Sequence, residues 1–309
     1  MGKASRTKVE STRREKIAAQ RAAERRSEQR RRILIASGSV VVVLVIVLVF
    51  VVVKLNGGKP SNSSAAGLSN GPTGSSLSAV VDNVTSVPAS TLNTVGEGGG
   101  AVTGKPTTIS GSALTENGKP EMFYAGAEYC PYCAGERWAM IVALSRFGTF
   151  KGLTTVHSAV ANGAGNAEPD PDTPTWTFLH ATYSSPYLAF TPVELQTNIP
   201  DSSTGSYTLL QTPTKAEQAL ITKYDGSTGP IPFIDFGNKY MISGVSYDPG
   251  VLDGLSWATI ATDLHNPSSP VAQAVDGTAN YITAAICKMT GNQPASACTT
   301  TVQSLESQI

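Results

Sequence analysis

The residues of this chain with the most distinctive chemistry are two cysteines, Cys130 and Cys133, which are spaced as C-x-x-C. An apolar run typical of a β-strand precedes them, and a pattern typical of a helix follows them. Residues three apart lie about one turn apart on a helix, so these two thiols are close enough to form a disulfide. A C-x-x-C between a strand and a helix indicates thiol–disulfide chemistry.

The order of the two cysteines predicts that they differ in reactivity. Cys130 lies at the predicted helix N-terminus, where unpaired backbone N–H groups and the positive end of the helix dipole favour a thiolate. We therefore expect Cys130 to be the attacking sulfur and Cys133 to be the inner, resolving thiol. Pro131 fits the first helical turn, where its missing N–H costs nothing. Gly148 predicts that the helix ends near Phe147.

Two other roles are open to this cysteine pair, a structural disulfide and half of a zinc site. Zinc requires about four ligands, and the sequence has no second C-x-x-C and no paired histidines. Glu168, Asp170 and Asp172 could suggest a calcium site, but prolines interrupt them and an exposed loop is expected. We predict no metal site. The histidines are scattered along the chain, at His157, His180 and His265.

The remaining cysteines, Cys287 and Cys298, flank a short polar segment. We interpret them as a structural disulfide, which would stabilise the fold by about 2–3 kcal/mol through loop closure. The alternative is a relay that accepts electrons from Cys130 and Cys133.

The elements that must position these cysteines begin with a membrane anchor. Residues 33–53 carry no charge and are mostly Val, Leu and Ile, which is long enough to cross a hydrocarbon core about 30 Å thick. Residues 1–32 contain 12 Lys and Arg against 4 Asp and Glu, a net charge of +8 in a chain whose formal charge is zero. A basic tail of this kind is typical of a cytoplasmic flank that fixes topology and touches anionic lipid, rather than of a nucleic-acid-binding arm.

The positive-inside rule then predicts a single-pass cell-membrane protein with a cytoplasmic N-terminus. Residues 54–78 are rich in Gly, Ser, Asn and Pro and are expected to form a flexible linker. Residues 79–309 form the predicted extracytoplasmic domain. All four cysteines lie in this domain, in a compartment where disulfides persist.

Hydrophobic patterns and turn signals predict the elements on both sides of the dithiol. Residues 79–97 predict a short helix, a break at Pro88 and a second turn. Residues 107–114 and 121–127 predict strands joined by a turn at Asn117-Gly118, and the second strand leads to Cys130. Further strands are predicted at 153–160, 176–183 and 187–195, and helices at about 249–264, 270–288 and 295–307, with a capping box at Thr214 and Glu217 that opens another helix.

Residues 229–244 predict a β-hairpin that turns at Gly237-Asn238. Ile231-Pro232 stands at the start of its first strand, because proline is excluded from the interior of central strands. An X-Pro bond is also the one peptide bond that adopts the cis form at low cost.

The predicted order, strand, C-x-x-C helix, strand, insertion, helix, X-Pro hairpin and helix, resembles the thioredoxin fold over about residues 107–289. Cys130-Pro-Tyr-Cys133 resembles the motif of glutaredoxins and of exported disulfide oxidoreductases. The segments Glu-Tyr-Cys-Pro-Tyr-Cys-Ala-Gly-Glu-Arg-Trp, Pro-Phe-Ile-Asp-Phe-Gly-Asn-Lys-Tyr and Ile-Cys-Lys-x-Thr-Gly-Asn-Gln-Pro more closely resemble the prokaryotic domain of unknown function 929 family, which has thioredoxin-like character and no settled activity. The expected fold class is α/β, a thioredoxin-like fold with an insertion at about 161–227, preceded by a single transmembrane helix.

In thioredoxin-like proteins the proline before the hairpin is cis and lies against the active-site disulfide. The resemblance therefore implies that Pro232 takes this place and that the backbone of Ile231 hydrogen-bonds an incoming substrate. Pro131 and Tyr132, inside the motif, are also assigned to substrate binding.

The resemblance also has two departures. Thioredoxins keep a buried acid about six residues before the first cysteine, and this position is Tyr124 here, whereas Glu128 is nearer to the cysteines. The insertion, which makes the distance between the dithiol and Pro232 long, is expected to pack over or beside the site.

These features predict a membrane-anchored, exported thiol–disulfide oxidoreductase in which Cys130 exchanges with a substrate cysteine and Cys133 resolves the mixed disulfide. No organic cofactor is implied, and the expected partners are protein thiols or disulfides and a membrane electron donor or acceptor. The direction of electron flow is left open. The alternative is a non-enzymatic cell-envelope binding or structural module with inert disulfides, and a thiol peroxidase is a weaker third hypothesis.

Overall fold

The computed structural model describes residue 67 and residues 69–226 and 229–309. The basic tail and the membrane segment predicted at 1–53 lie outside these residues, as does most of the predicted linker. Within the described ranges, no helix is both long and apolar enough to cross a membrane.

The described residues form a mixed α/β structure with twelve strands and seven α-helices. The strands are β1 (Thr107–Thr108), β2 (Thr115–Glu116), β3 (Lys119–Gly126), β4 (Thr149–Lys151), β5 (Thr154–His157), β6 (Pro174–Thr177), β7 (Thr182–Ser184), β8 (Ala189–Glu194), β9 (Gln196–Asp201), β10 (Ser206–Leu209), β11 (Phe233–Phe236) and β12 (Tyr240–Ser243). The helices are α1 (Gly74–Thr85), α2 (Ala89–Val95), α3 (Pro131–Ser145), α4 (Lys215–Asp225), α5 (Trp257–Asp263), α6 (Pro270–Thr290) and α7 (Thr300–Leu305), with 3₁₀ turns at Pro249–Leu252 and Glu306–Gln308.

A six-stranded sheet is the centre of the fold, and β3 lies in its middle. β8 pairs with β3 in parallel, and β11 pairs with β3 in antiparallel orientation. β12 follows β11 as a hairpin, and β1 pairs with β12. β2 forms a short hairpin with the start of β3.

The two faces of the sheet are both covered, which explains why β3 is apolar on both sides. Met122 and Tyr124 of β3 point into the larger core, which contains the residues of α3 and α6. Phe123 and Ala125 alternate with them and pack into a smaller cluster on the other face, where α4 contributes Leu220 and Ile221.

The site helix α3 is apolar nearly all round its circumference and is buried accordingly. It ends at Ser145, two residues before the end that the sequence predicts, and Gly148 donates its N–H to Leu144 O at 3.1 Å. α3 packs along α6, which is capped by Ser269 and stopped by the left-handed Gly291. These two helices pack on the same face of the sheet, and the dithiol lies at the start of one of them, α3.

The largest correction concerns the strand that pairs with β3. The sequence places a strand after the site helix at 153–160, but the corresponding β5 pairs only with β6 in a separate two-stranded sheet. The parallel partner is β8, which lies inside the segment 161–227 that was predicted to be an insertion. β8 contains Pro192 and has β3 as its strand partner, and proline is tolerated in such an edge position. Segment 161–227 is therefore not a single insertion, because it supplies a strand of the central sheet.

Other predicted elements differ in extent. The turn at Asn117-Gly118, the hairpin at Gly237-Asn238 and the capping box that opens α4 are all confirmed. The strand predicted at 107–114 is reduced to the two residues of β1, and α1 begins at Gly74, within the predicted linker. β4, β9 and β10 were not predicted, because they are short strands in polar segments.

The predicted disulfide between Cys287 and Cys298 is present, with 5.8 Å between the two Cα atoms. Both residues are buried. The bond joins the last turn of α6 to the segment before α7, and Lys288 Nζ donates to Glu306 O across the same junction at 3.1 Å. Cys130 and Cys133 are free thiols, and the structural role of the Cys287–Cys298 bond stays a prediction.

A buried carboxyl group on α6, that of Asp276, lacks the partners that a charge requires. Neither of its oxygens has a hydrogen-bond partner in the described part of the chain. Burial raises its pKa to about 8, although the positive charge of Arg146 opposes this shift. Because the folded-state pKa lies above the ordinary value, this group favours folding most at pH below about 4 and loses that contribution as the pH rises towards 8.

We therefore predict that Asp276→Asn makes the fold more stable at pH 8, by at least about 1 kcal/mol, and has little effect at pH 4. Urea unfolding of both proteins across this pH range measures the difference. Asp82→Asn, which changes an exposed carboxylate of α1, is the matched control and should leave the pH profile unchanged. Parallel pH profiles for Asp276→Asn and the parent protein would contradict the assignment.

Candidate redox site

The dithiol lies where β3 ends and α3 begins. Cys130 is the N-cap residue of α3, and its Sγ accepts a hydrogen bond from the Cys133 N–H at 3.3 Å. The Cys130 thiol also donates to Ile231 O at 3.7 Å. Cys130 is 4 % exposed and Cys133 is fully buried, so both thiols are buried and Cys130 is the less buried of the two.

The surroundings shift the pKa values of the two thiols in opposite directions. Burial acts to raise the pKa of Cys130, but hydrogen bonds from the Cys133 side chain and backbone, the positive charge of Arg137 and the Tyr132 N–H outweigh it, so that the pKa is lowered. Burial raises the pKa of Cys133 well above its ordinary value, and the neighbouring Cys130 adds to this effect. The arrangement can therefore supply one thiolate and one protonated thiol. The roles of attacking and resolving sulfur stay predictions.

All four residues predicted to bind substrate lie around Cys130. The Ile231–Pro232 peptide bond is cis, as the resemblance implies, and the Ile231 carbonyl contacts the Cys130 thiol. Pro131 is buried in the first turn of α3, whereas Tyr132 is 37 % exposed. The structure thus brings these residues together, and their part in substrate binding stays a prediction.

Glu128 is a buried acid two residues before Cys130. Its Oε2 accepts the Gly67 N–H at 2.7 Å, and its Oε1 has no partner among the described residues. Burial and the negative charge of Glu194 raise its pKa to about 6, although a hydrogen bond from Thr177 acts in the opposite direction. A carboxyl group with this pKa can exchange a proton near neutral pH.

A buried ion pair lies one turn along α3 from the dithiol. Arg137 donates to Glu194 from Nε at 3.0 Å and from Nη2 at 2.6 Å, and both side chains are fully buried. Glu194 also accepts the Phe178 N–H at 3.1 Å. A two-point ion pair of this kind fixes both orientation and distance.

Tyr124 occupies the position of the acid that thioredoxins bury. Its side chain is fully buried, and its hydroxyl has no hydrogen-bond partner within the described ranges. Burial raises its pKa well above the ordinary value, so that the phenol stays neutral. Its ring lies 5.8 Å from the Arg137 guanidinium carbon and edge-on to Phe178.

Residues between β5 and β10 contact the connection that leads to Cys130. Ala159 donates its N–H to Tyr129 O at 2.9 Å. The Tyr129 ring stacks on Tyr207 with 4.1 Å between centroids, and the Tyr207 hydroxyl donates to Glu168. These contacts tie the residue before Cys130 to β5 and β10.

The residues considered for metal binding have other partners. His157 Nδ1 lies 2.8 Å from Ser158 O and 2.9 Å from Asp172, which makes it a satisfied strand histidine. Asp170 and Asp172 adopt left-handed turn conformations in the loop before β6. In the part of the chain that the structure describes, no group of three or more His, Cys, Asp or Glu side chains could hold a metal ion.

Comparison with known proteins adds one finding. The model of a family described as a domain of unknown function, DUF929, matches residues 105–288. The chain belongs to the DUF929 family. The match includes the dithiol, the hairpin that begins at Ile231-Pro232 and every strand of the central sheet of this DUF929 protein. No curated protein and no solved structure matches the chain.

Sequence reasoning missed the charged residues beneath the DUF929 dithiol. Arg137 follows Glu136 directly before the apolar run that begins at Trp138, and Glu194 lies between Val193 and Leu195. Charged residues are almost never fully buried unless they are paired. That signal could have suggested an ion pair, but pairing the two residues required knowing that β8 lies next to β3.

We predict that iodoacetamide modifies Cys130 of the full-length DUF929 protein before Cys133, because Cys130 is the less buried thiol and its pKa is lowered, whereas that of Cys133 is raised. Mass spectrometry of the reduced, alkylated protein identifies the site, and the midpoint of the rate against pH should lie below about 8.5. In Cys133→Ala the midpoint should move up, because a hydrogen bond to the Cys130 sulfur is lost. Faster modification of Cys133 than of Cys130 would disprove this assignment.

Proposed function

We propose that this DUF929 protein is a membrane-anchored, extracytoplasmic thiol–disulfide oxidoreductase that acts on the thiols or disulfides of other proteins. The observation that carries the proposal is the pairing of an N-cap thiol of lowered pKa, Cys130, with a buried thiol three residues later, Cys133. Exchange requires one thiolate that a substrate can approach and one thiol that can displace it; the lowered pKa of Cys130 supports the first role for it, and the position of Cys133 three residues later supports the second.

A thioredoxin-like fold is part of the proposal. Its support is the order β8-β3-β11-β12 in the sheet, with β8 parallel to β3 and with β11 and β12 as an antiparallel hairpin. α3 leaves β3 at the dithiol and α6 packs beside it on the same face. The cis Pro232 at the start of the hairpin adds to this support.

In the oxidising direction, a substrate thiolate attacks Cys130 Sγ of the Cys130–Cys133 disulfide. The bond between the two enzyme sulfurs breaks, and Cys133 leaves as a thiolate and takes up a proton. A second substrate thiolate then attacks the substrate sulfur of the mixed disulfide, so that the substrate loses two electrons and the enzyme dithiol gains them. A membrane electron acceptor returns the pair to the disulfide. The reducing direction reverses each step and needs a membrane electron donor.

Glu128 is the group best suited to handle protons in these steps. It is buried beside the site, it has one oxygen without a partner and its pKa is about 6. A carboxylate there can accept the proton that Cys133 releases, and the acid can return it when Cys133 leaves as a thiolate.

Anchoring and export rest on the sequence alone. The uncharged segment at 33–53 and the tail of charge +8 support a single membrane helix with a cytoplasmic N-terminus.

We predict that a C-terminal alkaline phosphatase fusion to the full-length chain is active and that a fusion ending at residue 32 is inactive, since this reporter needs an extracytoplasmic location. Activity of only cytoplasmic reporters at the C-terminus would contradict export.

The reduction potential of the Cys130–Cys133 pair tests the function directly. The full-length protein is equilibrated in glutathione buffers and trapped with an alkylating agent, with Cys130→Ala as the control. We expect a potential between about −120 and −270 mV, where the upper part of the range indicates an oxidase or isomerase and the lower end a reductase. A pair that stays oxidised below about −300 mV would be a structural bond. That result would favour a non-enzymatic envelope module instead.

A further inference from the structure

Two fully buried side chains near Cys133, the inner thiol, each have one polar atom without a hydrogen-bond partner among the described residues. These atoms are the hydroxyl of Tyr124 and Nη1 of Arg137. Buried polar groups without partners are rare in folded proteins, and each one requires an explanation. Both occur on elements that meet at the dithiol, β3 and α3.

The Tyr124 hydroxyl lies beside the Cys133 sulfur. A Cβ atom placed on Gly126 would overlap the Tyr124 hydroxyl and would lie 3.1 Å from Cys133 Sγ. The hydroxyl and the sulfur therefore border the same small space at Gly126. The two atoms form no hydrogen bond in this structure, and a phenol O–H can donate to a sulfur that becomes a thiolate.

Arg137 supplies positive charge to the same place. It lies four residues after Cys133, which is the spacing of neighbours on a helix face. Glu194 engages its Nε and Nη2, so the guanidinium is held in one orientation. Its charge lowers the pKa of both Cys130 and Cys133.

We propose that Tyr124 and Arg137 are positioning residues that stabilise the thiolate of Cys133 when it resolves a mixed disulfide. The inference rests on the proposed function and adds to it the reason why two buried polar atoms are left without partners. Cys133 loses its proton, and the resulting thiolate accepts a hydrogen bond from the Tyr124 hydroxyl while Arg137 offsets its charge. The thiolate then attacks Cys130 Sγ, so that a Cys130–Cys133 bond forms and the bond from Cys130 to the substrate sulfur breaks. The substrate leaves as a thiolate and takes up the proton.

The titratable groups around Cys133 come from several elements. Tyr124 is on β3, Cys130 is the N-cap of α3, Arg137 is on α3 itself, and Glu194 is on β8. Glu128 and Tyr129 lie in the connection between β3 and α3. Glu128 has a pKa of about 6, so a midpoint above neutral pH in the resolving step reports on Cys133.

The test separates the two thiol steps in the full-length protein with dithiobis(nitrobenzoate). Cys130 attacks this disulfide and releases one thionitrobenzoate, and Cys133 then displaces the second one from the mixed disulfide. Stopped-flow absorbance resolves these two phases, and Cys133→Ala should retain only the first. The disulfide between Cys287 and Cys298 contributes no free thiol.

In Tyr124→Phe we expect the first phase to stay within about twofold of the parent rate. The second phase should slow by about tenfold at pH 7, and its pH midpoint should rise by about one unit. Because the hydroxyl that is removed has no partner, denaturant unfolding should show no loss of stability. Tyr183→Phe is the matched control, since its hydroxyl donates to Leu144 O at the other end of α3 at 2.9 Å, and it should leave the second phase unchanged.

Arg137 is tested together with its partner, because loss of Arg137 alone leaves a buried charge. Arg137→Gln combined with Glu194→Gln removes both charges and should raise the midpoint of the second phase, whereas Arg137→Lys should retain the parent midpoint. A second phase in Tyr124→Phe with the parent rate and pH profile would overturn this inference and leave the dithiol function intact. A parent protein that releases no thionitrobenzoate would overturn the proposed function and this inference with it.

Discussion

The ion pair between Arg137 and Glu194 is the interaction on which the arrangement of the site depends. Removing two charges from water costs free energy, and the attraction between them offsets this cost only when their geometry is good and their remaining polar atoms are hydrogen-bonded. Glu194 meets this demand by accepting from Nε and Nη2 of Arg137 and from the Phe178 N–H. Because Glu194 is the last residue of β8, the pair locks α3 against the strand parallel to β3. The helix that carries the dithiol therefore has one position relative to the sheet.

The same cation also affects the chemistry of the two sulfurs, although it does not make them alike. Arg137 lowers the pKa of both thiols, but only Cys130 also receives hydrogen bonds from the first turn of α3. Cys133 has no such donors other than the Ala127 backbone, and burial keeps its pKa high. The two pKa values therefore differ because Cys130 lies where the helix begins, and the positive charge of Arg137 lowers both of them.

Features that depend on residues close together in the chain could be predicted from the sequence, whereas contacts between distant segments could not. The strand, the C-x-x-C helix, the X-Pro hairpin and the second disulfide were all predictable, because each depends on residues close together in the chain or on turn chemistry at Asn238 and Pro232. The place of β8 was not, because the strand after α3 and the strand within the insertion both have apolar patterns. Only the pairing of β8 with β3 distinguishes them. For the same reason Glu194 could not be matched with Arg137, and the surroundings of Tyr124 could not be foreseen.

Three buried carboxyl groups have raised pKa values, but their hydrogen-bond partners differ. Glu136, Asp276 and Glu128 have pKa values raised by burial to about 7, about 8 and about 6. Each favours the folded state most when it is protonated, so this contribution declines as the pH rises. Glu136 accepts hydrogen bonds from the Ser246 N–H and hydroxyl, which leaves it a structural role. Glu128 has the lowest pKa of the three and lies two residues from Cys130 with one oxygen that has no partner among the described residues, which is why the proposal assigns proton transfer with the dithiol to Glu128 rather than to Glu136 or Asp276.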